Sequence, residues 1–341
     1  MLLCLLGLVI LIGILVNIPV VQNFLVHEVT SRLSQQLKTR VEIDRVTFRL
    51  FNSMQMEGAL IEDQHRDTLL YAGKLQVRIT DWFFFQDKPV IKFIGLENAQ
   101  VNLLRSSRDS VWNYHFLEAA FGSAAPDTSR QPSKGISLDL KKIDLRNIKL
   151  NQVDAWVGED MRASAKHIYL DAKNLDLQKH NIDIQELTLT GPSFIISSYK
   201  SSPLRHRRRP APSASPVPDT GQLQPLRWNN ANWRLIVKEL NIKDGTFGVD
   251  NPDDTTSVVP GYFAPHHIRF NEINLSLTNT SLVKDSVIGD LTRRTKERSG
   301  WEGKKRTSRF KMSPVEMEFS QLDLETNRSH SGDYYTMQYS Y

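Results

Sequence analysis

From Val41 onward, apolar and polar residues alternate with a period of two, the pattern of strands that have one apolar and one polar face. Ile136-Ser-Leu138-Asp-Leu140, Ile143-Asp-Leu145, Ile182-Asp-Ile184, Leu187-Thr-Leu189, Leu235-Ile-Val237, Leu240-Asn-Ile242, Ile273-Asn-Leu275-Ser-Leu277 and Leu322-Asp-Leu324 are clear instances. Helical periodicity is confined to the region before them. There Val21, Leu25, Val29, Leu33 and Leu37 recur at every fourth position among polar residues and predict an amphipathic helix over 22–40. Such a helix either caps one end of the β structure near a membrane surface or is a plain core helix. The expected class is therefore mainly β.

The strands carry an internal repeat. Ile94-Gly-Leu96-Glu-Asn98-Ala-Gln-Val101 aligns with Ile143-Asp-Leu145-Arg-Asn147-Ile-Lys-Leu150 and with Leu240-Asn-Ile242-Lys-Asp244-Gly-Thr-Phe247. Weaker copies begin at Met54, with Gly58 in the fifth place, and at Leu187, with Gly191 there. Asn, Asp and Gly tolerate positive φ, so each copy predicts a strand interrupted by a bulge or tight turn at that residue. The spacing of the copies is too irregular for a propeller and suits a stack of hairpins of variable length. With one apolar face and no later amphipathic helices to cover it, the sheet has to close as a sandwich or barrel, or curl into a groove whose lining something else covers.

Leu2 to Ile18 contains no charged residue and, extended through Val21, reaches the ~20 residues that cross a bilayer core as a helix. Nothing around Asn17-Ile18-Pro19 resembles a small-x-small cleavage site, so the segment reads as an uncleaved signal anchor over 1–21. The cationic residues Arg32, Lys38 and Arg40 follow the anchor rather than precede it. Either the downstream region is cytosolic, or Met1 lies inside a longer reading frame with a basic start.

Charge and composition then narrow the chemistry. Lys200 to Arg227 holds six cationic residues (Lys200, Arg205, Arg207, Arg208, Arg209 and Arg227) against Asp219, a surplus equal to the whole net charge of +5. Its prolines exclude a central strand and predict a solvated loop. Asp285 to Arg309 is also basic and reads as a polar excursion between strands. Trp82 to Phe85 places four aromatics in succession, so either both faces are buried there or some rings lie against lipid. The single cysteine, Cys4, lies in the apolar run, which excludes an intrachain disulfide and a soluble thiol nucleophile. His27-Glu28 and His266-His267 lack metal-ligand spacing. There is no phosphate-cradling Gly-rich loop and no nucleophile elbow, and Asp253-Asp254 sits in a turn composition. The expectation is a non-enzyme without cofactor or metal, and, given the anchor, without nucleic acid.

Together, the anchor, the helix, Val41-Glu-Ile43-Asp-Arg-Val46, Met56-Glu-Gly58-Ala-Leu-Ile61-Glu-Asp63, Asp67-Thr-Leu69-Leu70-Tyr-Ala72, Ile91 to Leu103, Asp109-Ser-Val-Trp112-Asn113-Tyr114 and the run from Glu297 through Phe310 to Asn327 and Ser329 resemble the start of AsmA-like proteins, most closely the TamB branch of Bacteroidetes-type bacteria. The resemblance implies an inner-membrane, single-pass protein whose bulk lies in the periplasm as an elongated, curled antiparallel β-groove. It divides the chain into a 1–21 anchor, the 22–40 helix, groove regions over 41–199 and 228–341, and the 200–227 loop. Relatives are linked to moving phospholipid between membranes and to assembly of outer-membrane proteins with a partner barrel. The lining implied for phospholipid acyl chains comprises Leu138, Leu140, Ile143, Leu145, Ile184, Leu187, Leu189, Leu235, Val237, Leu240 and Ile242. Because the last residues, Tyr334 to Tyr341, still alternate, the chain reads as an N-terminal fragment. A membrane-tethered scaffold that binds partner proteins by strand addition is the alternative.

Overall fold

The computed structural model describes residues 19–49, 53–79, 90–121, 137–176, 179–199, 227–255, 264–297, 302–325 and 330–339, with 259 and 262. The apolar run Leu2 to Ile18, the aromatic run Trp82 to Phe85 and residues 200–226 of the Pro/Arg-rich loop lie outside these. The fold is mainly β with a large sheet, as the alternation requires. Among the described residues, no helix is long and apolar enough to cross a membrane. The chain divides into two units.

The first unit comprises Met1–Leu104, Val111–Gln152 and Ser164–Asp171. It holds helix α1 (Pro19–Leu37), strands β1 (Val41–Glu42), β2 (Arg45–Arg49), β3 (Ser53–Glu62), β4 (Thr68–Ile79) and most of β5 (Val90–Arg105), and a short helix α2 (His115–Phe121). Strand β6 (Ser137–Asp154) lies mostly here, and β7 (Glu159–Asp176) contributes to both units. Helix α1 opens at a proline, whose missing N–H costs nothing there. It ends at Lys38 in the left-handed region (φ 53), with the Thr39 N–H donating back to the Ser34 carbonyl. Leu37 and Val41 are buried, and the helix packs on β1, β2 and α2. Helix α2 was not signalled by the sequence; seven residues are too few to show a helical period.

Strands β1 and β2 both pair with β3, and β3, β4 and β5 form an antiparallel ladder with two distinct faces. Val46, Met56, Leu75 and Leu96 stand opposite one another in one apolar row, and Phe48, Met54, Val77 and Ile94 in the next. On the other face the row is Arg45, Glu57, Lys74 and Glu97, with charges of alternating sign. Opposite charges across strands favour this register over a one-residue slip, which would exchange the two faces.

The β3–β4 turn is built around Asp63, which is almost completely buried. The N–H groups of His65 and Asp67 donate to its Oδ1 at 2.8 and 3.0 Å, and Asn113 Nδ2 donates to its Oδ2 at 3.1 Å. Asn113 also donates to the Asn102 carbonyl and accepts from the Leu104 N–H, so the Trp112-Asn113 segment is pinned to the turn.

The second unit comprises Arg105–Ser110, Val153–Ala163 and Ala172–Tyr341. It contains β8 (Asn181–Thr190), β9 (Ser193–Ser198), β10 (Arg234–Asp250), β11 (His267–Val283), β12 (Ser286–Glu297), β13 (Glu302–Met312), β14 (Glu316–Glu325) and β15 (His330–Gln338). From β10 to β15 each strand pairs antiparallel with the next. The expectation of an antiparallel sheet is corrected at β10. Strands β8 and β9 lie end to end and pair parallel with β10, Arg234 beside Asn181 and Asp250 beside Ser197. A parallel pair requires the connection to return along the strand. The Pro/Arg-rich stretch falls in that connection, between Ser198 and Arg234. A second correction concerns Asp285 to Arg309, which is not an excursion but the hairpin β12–β13. Its dense charge masks the alternation of Val287, Gly289 and Leu291 on one face.

Trp228-Asn229 plays in this unit the part of Trp112-Asn113 in the first. Asn229 is buried; its Nδ2 donates to the carbonyls of Trp233 and Lys284, and the N–H groups of Trp228 and Asn229 donate to the Asp285 carboxylate in the β11–β12 turn. The N–H of Asn229 and, after it, the Arg227 guanidinium hold the Asp285 carboxyl below the usual carboxylate range. At the β6–β7 turn, Arg105 forms a two-pronged ion pair with the buried Asp154. Tyr199 donates to Asp160 at 3.0 Å, and burial followed by that carboxylate pushes the phenol up to about 12.

All five fifth-place residues of the repeat adopt positive φ: Gly58 at 63°, Asn98 at 54°, Asn147 at 53°, Gly191 at 55° and Asp244 at 55°. Apolar parity switches at each one, for example from Ile94 and Leu96 to Ala99 and Val101. In a straight strand that switch would send the second pair to the opposite face; a left-handed residue bends the strand instead. Neighbouring strands stay in register across this level. The pairs Glu57↔Lys74 and Ala59↔Ala72, then Lys74↔Glu97 and Ala72↔Ala99, bracket Gly58, Gly73 and Asn98. Asn147 Nδ2 donates to Asn98 Oδ1 at 3.0 Å, extending the line to β6. In the second unit Thr190↔Lys243 and Ser193↔Thr246 bracket Gly191 and Asp244. A Cβ on Gly58 would lie 1.8 Å from the Asp44 carboxylate, so close approach as well as φ requires glycine there.

Replacing Asn98 or Asn147 by Val should cost about 1–2 kcal/mol of stability each, because a β-branched side chain is strained at positive φ. Replacement by Gly should cost less. Urea unfolding of the two series checks this; equal losses for Val and Gly would show that the backbone conformation is not what these residues supply.

Candidate functional site

The second unit assembles apolar side chains into rows that run across strands. Residues directly opposite in a paired ladder share a face. Ile182, Leu235, Leu282, Val287, Met312, Met317 and Met337 stand opposite one another from β8 to β15, giving a row seven strands long. Two residues further along β10 runs a second row, Ile184, Val237 and Thr280, and at the corresponding level of the later strands stand Gly289, Phe310, Phe319 and Tyr335. Gly289 is the low point of this row: an added Cβ would meet Thr280 Oγ1 at 2.6 Å and the Phe310 ring at 2.9 Å. The aromatic rings continue outward, Phe310 to Phe319 at 6.5 Å and Phe319 to Tyr335 at 6.3 Å, in tilted contact.

Beyond the parity switch near Lys238 and Asn279, two more rows join three strands, Leu187–Leu240–Leu277 and Leu189–Ile242–Leu275. Past Asp244 come Phe194–Phe247–Phe270 and Ile196–Val249–Ile268, with the Phe194 and Phe247 rings stacked at 6.2 Å. The alternate positions are mostly polar; Thr188, Asn241, Ser276, Thr292 and Thr307 form one such row, while Ile236 and Ile288 stand among polar residues in another.

Most of these apolar side chains are only half-buried. Ile184, Val237 and Phe310 are buried, whereas Leu187, Leu189, Leu235, Leu240 and Ile242 retain partial exposure. Exposure rises toward β15, where Tyr335 is 45% and Met337 39% exposed. Fully burying a Leu or Ile side chain is worth ~1.5–3 kcal/mol, so each row keeps a residual drive to be covered. Of the residues expected to line a groove, Leu140, Ile143 and Leu145 are half-buried on β6 in the first unit. Leu138 is also on β6, but its side chain lies outside the described set. The seven on β8 and β10 are brought together in the rows above. Of the helix positions, Leu33 is half-buried and Leu37 buried, and the side chains of Val21, Leu25 and Val29 lie outside the described set.

Sequence reading missed Val287, Met312, Met317 and Met337. Their signal was the alternation on either side of the Lys284-Asp285 and Ser313 to Val315 turns, hidden in the first case by basic neighbours. It also missed the left-handed residues Glu272 and Gln321, which carry no preference for that conformation, and Asn279, which lies outside the repeat. Among the described residues, no group of His, Cys, Asp and Glu comes together in a way that could hold a metal ion. Compared with known proteins, the chain matches no family model and no curated protein.

One titratable contact bears on the β10–β11 loop beside these rows. His267 Nδ1 faces Asp250 Oδ1 at 2.6 Å and Nε2 faces the Asp254 carbonyl at 3.1 Å. Two acceptors suit an imidazolium, and the Asp250 contact, supported by the Asp254 carbonyl, raises the ring's affinity for its proton. A raised folded-state pKa stabilises the fold fully below the unfolded value of about 6.5 and loses that contribution as pH rises through the folded value. The stability difference between the protein and His267→Gln should therefore be largest below about pH 6.5 and shrink above it. Chemical denaturation across pH 5–9, with an NMR titration of His267, checks the window; a difference that grows with pH would reverse the sign.

Proposed function

We propose that this chain is a non-catalytic, membrane-anchored envelope protein whose apolar rows shield phospholipid acyl chains from water. The observation that carries this reading is the row from Ile182 to Met337, unbroken over seven strands and half-exposed along most of its length. A chain of methylene groups laid along such a row meets an apolar side chain at every strand, about 4.8 Å apart. Each CH2 withdrawn from water gains about 0.8 kcal/mol. The apolar run Leu2 to Ile18 supplies the anchor in this reading. The resemblance to the AsmA-like superfamily and its TamB branch supports a β-groove with the bulk of the protein in the periplasm. The same resemblance supports a place in phospholipid transport between membranes and outer-membrane protein assembly.

The reading is tested by placing a photo-crosslinking phenylalanine analogue at Leu240 or Leu277, on an apolar row, and at Asn241, on a polar one. Irradiation of cells and mass spectrometry of the full chain should give phospholipid adducts at the first two sites and none at the third. Leu240→Asp should lower adduct yield at Leu277 several-fold. Absence of lipid at both apolar sites, with the protein folded, would rule the reading out.

A further inference from the structure

The apolar face of the second unit does not stay apolar to its margin. Along β12 the face runs Val287, Gly289, Leu291 and then Arg293, and along β13 it runs Met312, Phe310, Ser308 and then Arg306. The row of Leu187, Leu240 and Leu277 continues into Leu291, whereas the row of Leu189, Ile242 and Leu275 continues into Arg293 and, opposite it, Arg306. Like charges directly opposite in a ladder destabilise it unless something neutralises them. The first unit avoids such pairs, with alternating signs from Arg45 to Glu97. Here the surplus is concentrated. Residues 293–306 hold seven cationic residues against two acidic ones, and neither acid belongs to this row: Glu297 stands opposite Phe270 and Glu302 opposite Lys296.

We infer that Arg293 and Arg306 form the headgroup end of this face, a site for the phosphate of an anionic phospholipid whose acyl chains lie along the adjoining apolar rows. The inference rests on the acyl-chain reading above and adds to it the class of lipid. A phospholipid is apolar over most of its length and charged at one end. A face that passes from Leu275 to Arg293 within one strand spacing, about 4.8 Å, has the same division. Guanidinium groups match phosphate oxygens, with which they form paired, charge-assisted hydrogen bonds. Every phospholipid offers that phosphate. A zwitterionic headgroup, however, also brings an ammonium into a surplus of cations, whereas an anionic one such as phosphatidylglycerol brings none. The site therefore selects by headgroup charge. The row from Ile182 to Met337 carries no charged residue on any of its seven strands and supplies no such selection.

The test uses the full chain in detergent with the photo-crosslinking phenylalanine analogue at Leu277, offered equal amounts of phosphatidylglycerol and phosphatidylethanolamine with matched acyl chains. Phosphatidylglycerol adducts should exceed phosphatidylethanolamine adducts at least about fivefold, the effect of one cationic residue beside an anionic headgroup. Arg293→Gln/Arg306→Gln should abolish the preference while total adduct persists, and Arg293→Lys/Arg306→Lys should keep most of it. Arg294→Gln/Lys305→Gln removes two charges at the neighbouring positions and should leave the preference unchanged. Thermal unfolding without lipid gives a second readout: Arg293→Gln relieves an opposed pair of like charges and should not lower the midpoint. A lowered midpoint would show that Arg293 already serves a partner within the chain and overturns the inference. Equal adducts of the two lipids in the unaltered chain, or an equal loss of preference in Arg294→Gln/Lys305→Gln, also overturns it, while the adducts themselves uphold the acyl-chain reading. Absence of both lipids at Leu277 overturns the two together.

Discussion

Neighbouring strands have to bend at the same level, and the rest of the architecture depends on this. A left-handed residue in one strand shifts its apolar parity. If the adjacent strand did not bend beside it, the ladder would lose register and every row beyond would break. Gly58, Gly73 and Asn98 fall in line, Asn147 is tied to Asn98 by its side chain, and Gly191 lies beside Asp244. Gly73 keeps register between the left-handed Gly58 and Asn98 without being left-handed itself, whereas at Asn279, opposite Lys238, β11 shifts register against β12.

Rows and turns then divide the work. The rows give each unit an apolar and a polar face but leave much of the apolar side half-exposed, so its strands are held largely by ladder hydrogen bonds and cross-strand contacts. Turns are fixed by buried carboxylates and amides: Asp63 with Asn113, Asp154 with Arg105, and Asp285 with Asn229. A buried polar group left without a partner costs ~1–3 kcal/mol, so each node locks the hairpin that sets the register of the strands behind it.

The repeat was legible because its signal is local. Asn98, Asn147 and Asp244 adopt positive φ for a reason contained in their own side chains, and Gly58 and Gly191 for want of one. Glu272 and Gln321 were not legible, because each lies where its ladder shifts register, a position set by strand pairing and not by its own side chain. Seven of the expected lining residues fall in the cross-strand rows for a similarly local reason: alternation marks which side chains share a face. The partners that make them a site, Leu282, Val287 and Met312 among them, depend on which strands become neighbours.

By itself the sequence determined the strand class, the α1 helix and five of the points at which strands bend, since period, turn chemistry and backbone preference act over a few residues. Only the tertiary structure decided that β8 and β9 run parallel to β10, that the basic stretch after Asp285 is a hairpin, and that Trp112-Asn113 and Trp228-Asn229 close turns around distant carboxylates. These are choices among pairings that local preference leaves nearly equal. They are settled by which arrangement keeps the apolar rows continuous while giving every buried polar group in the turns a partner.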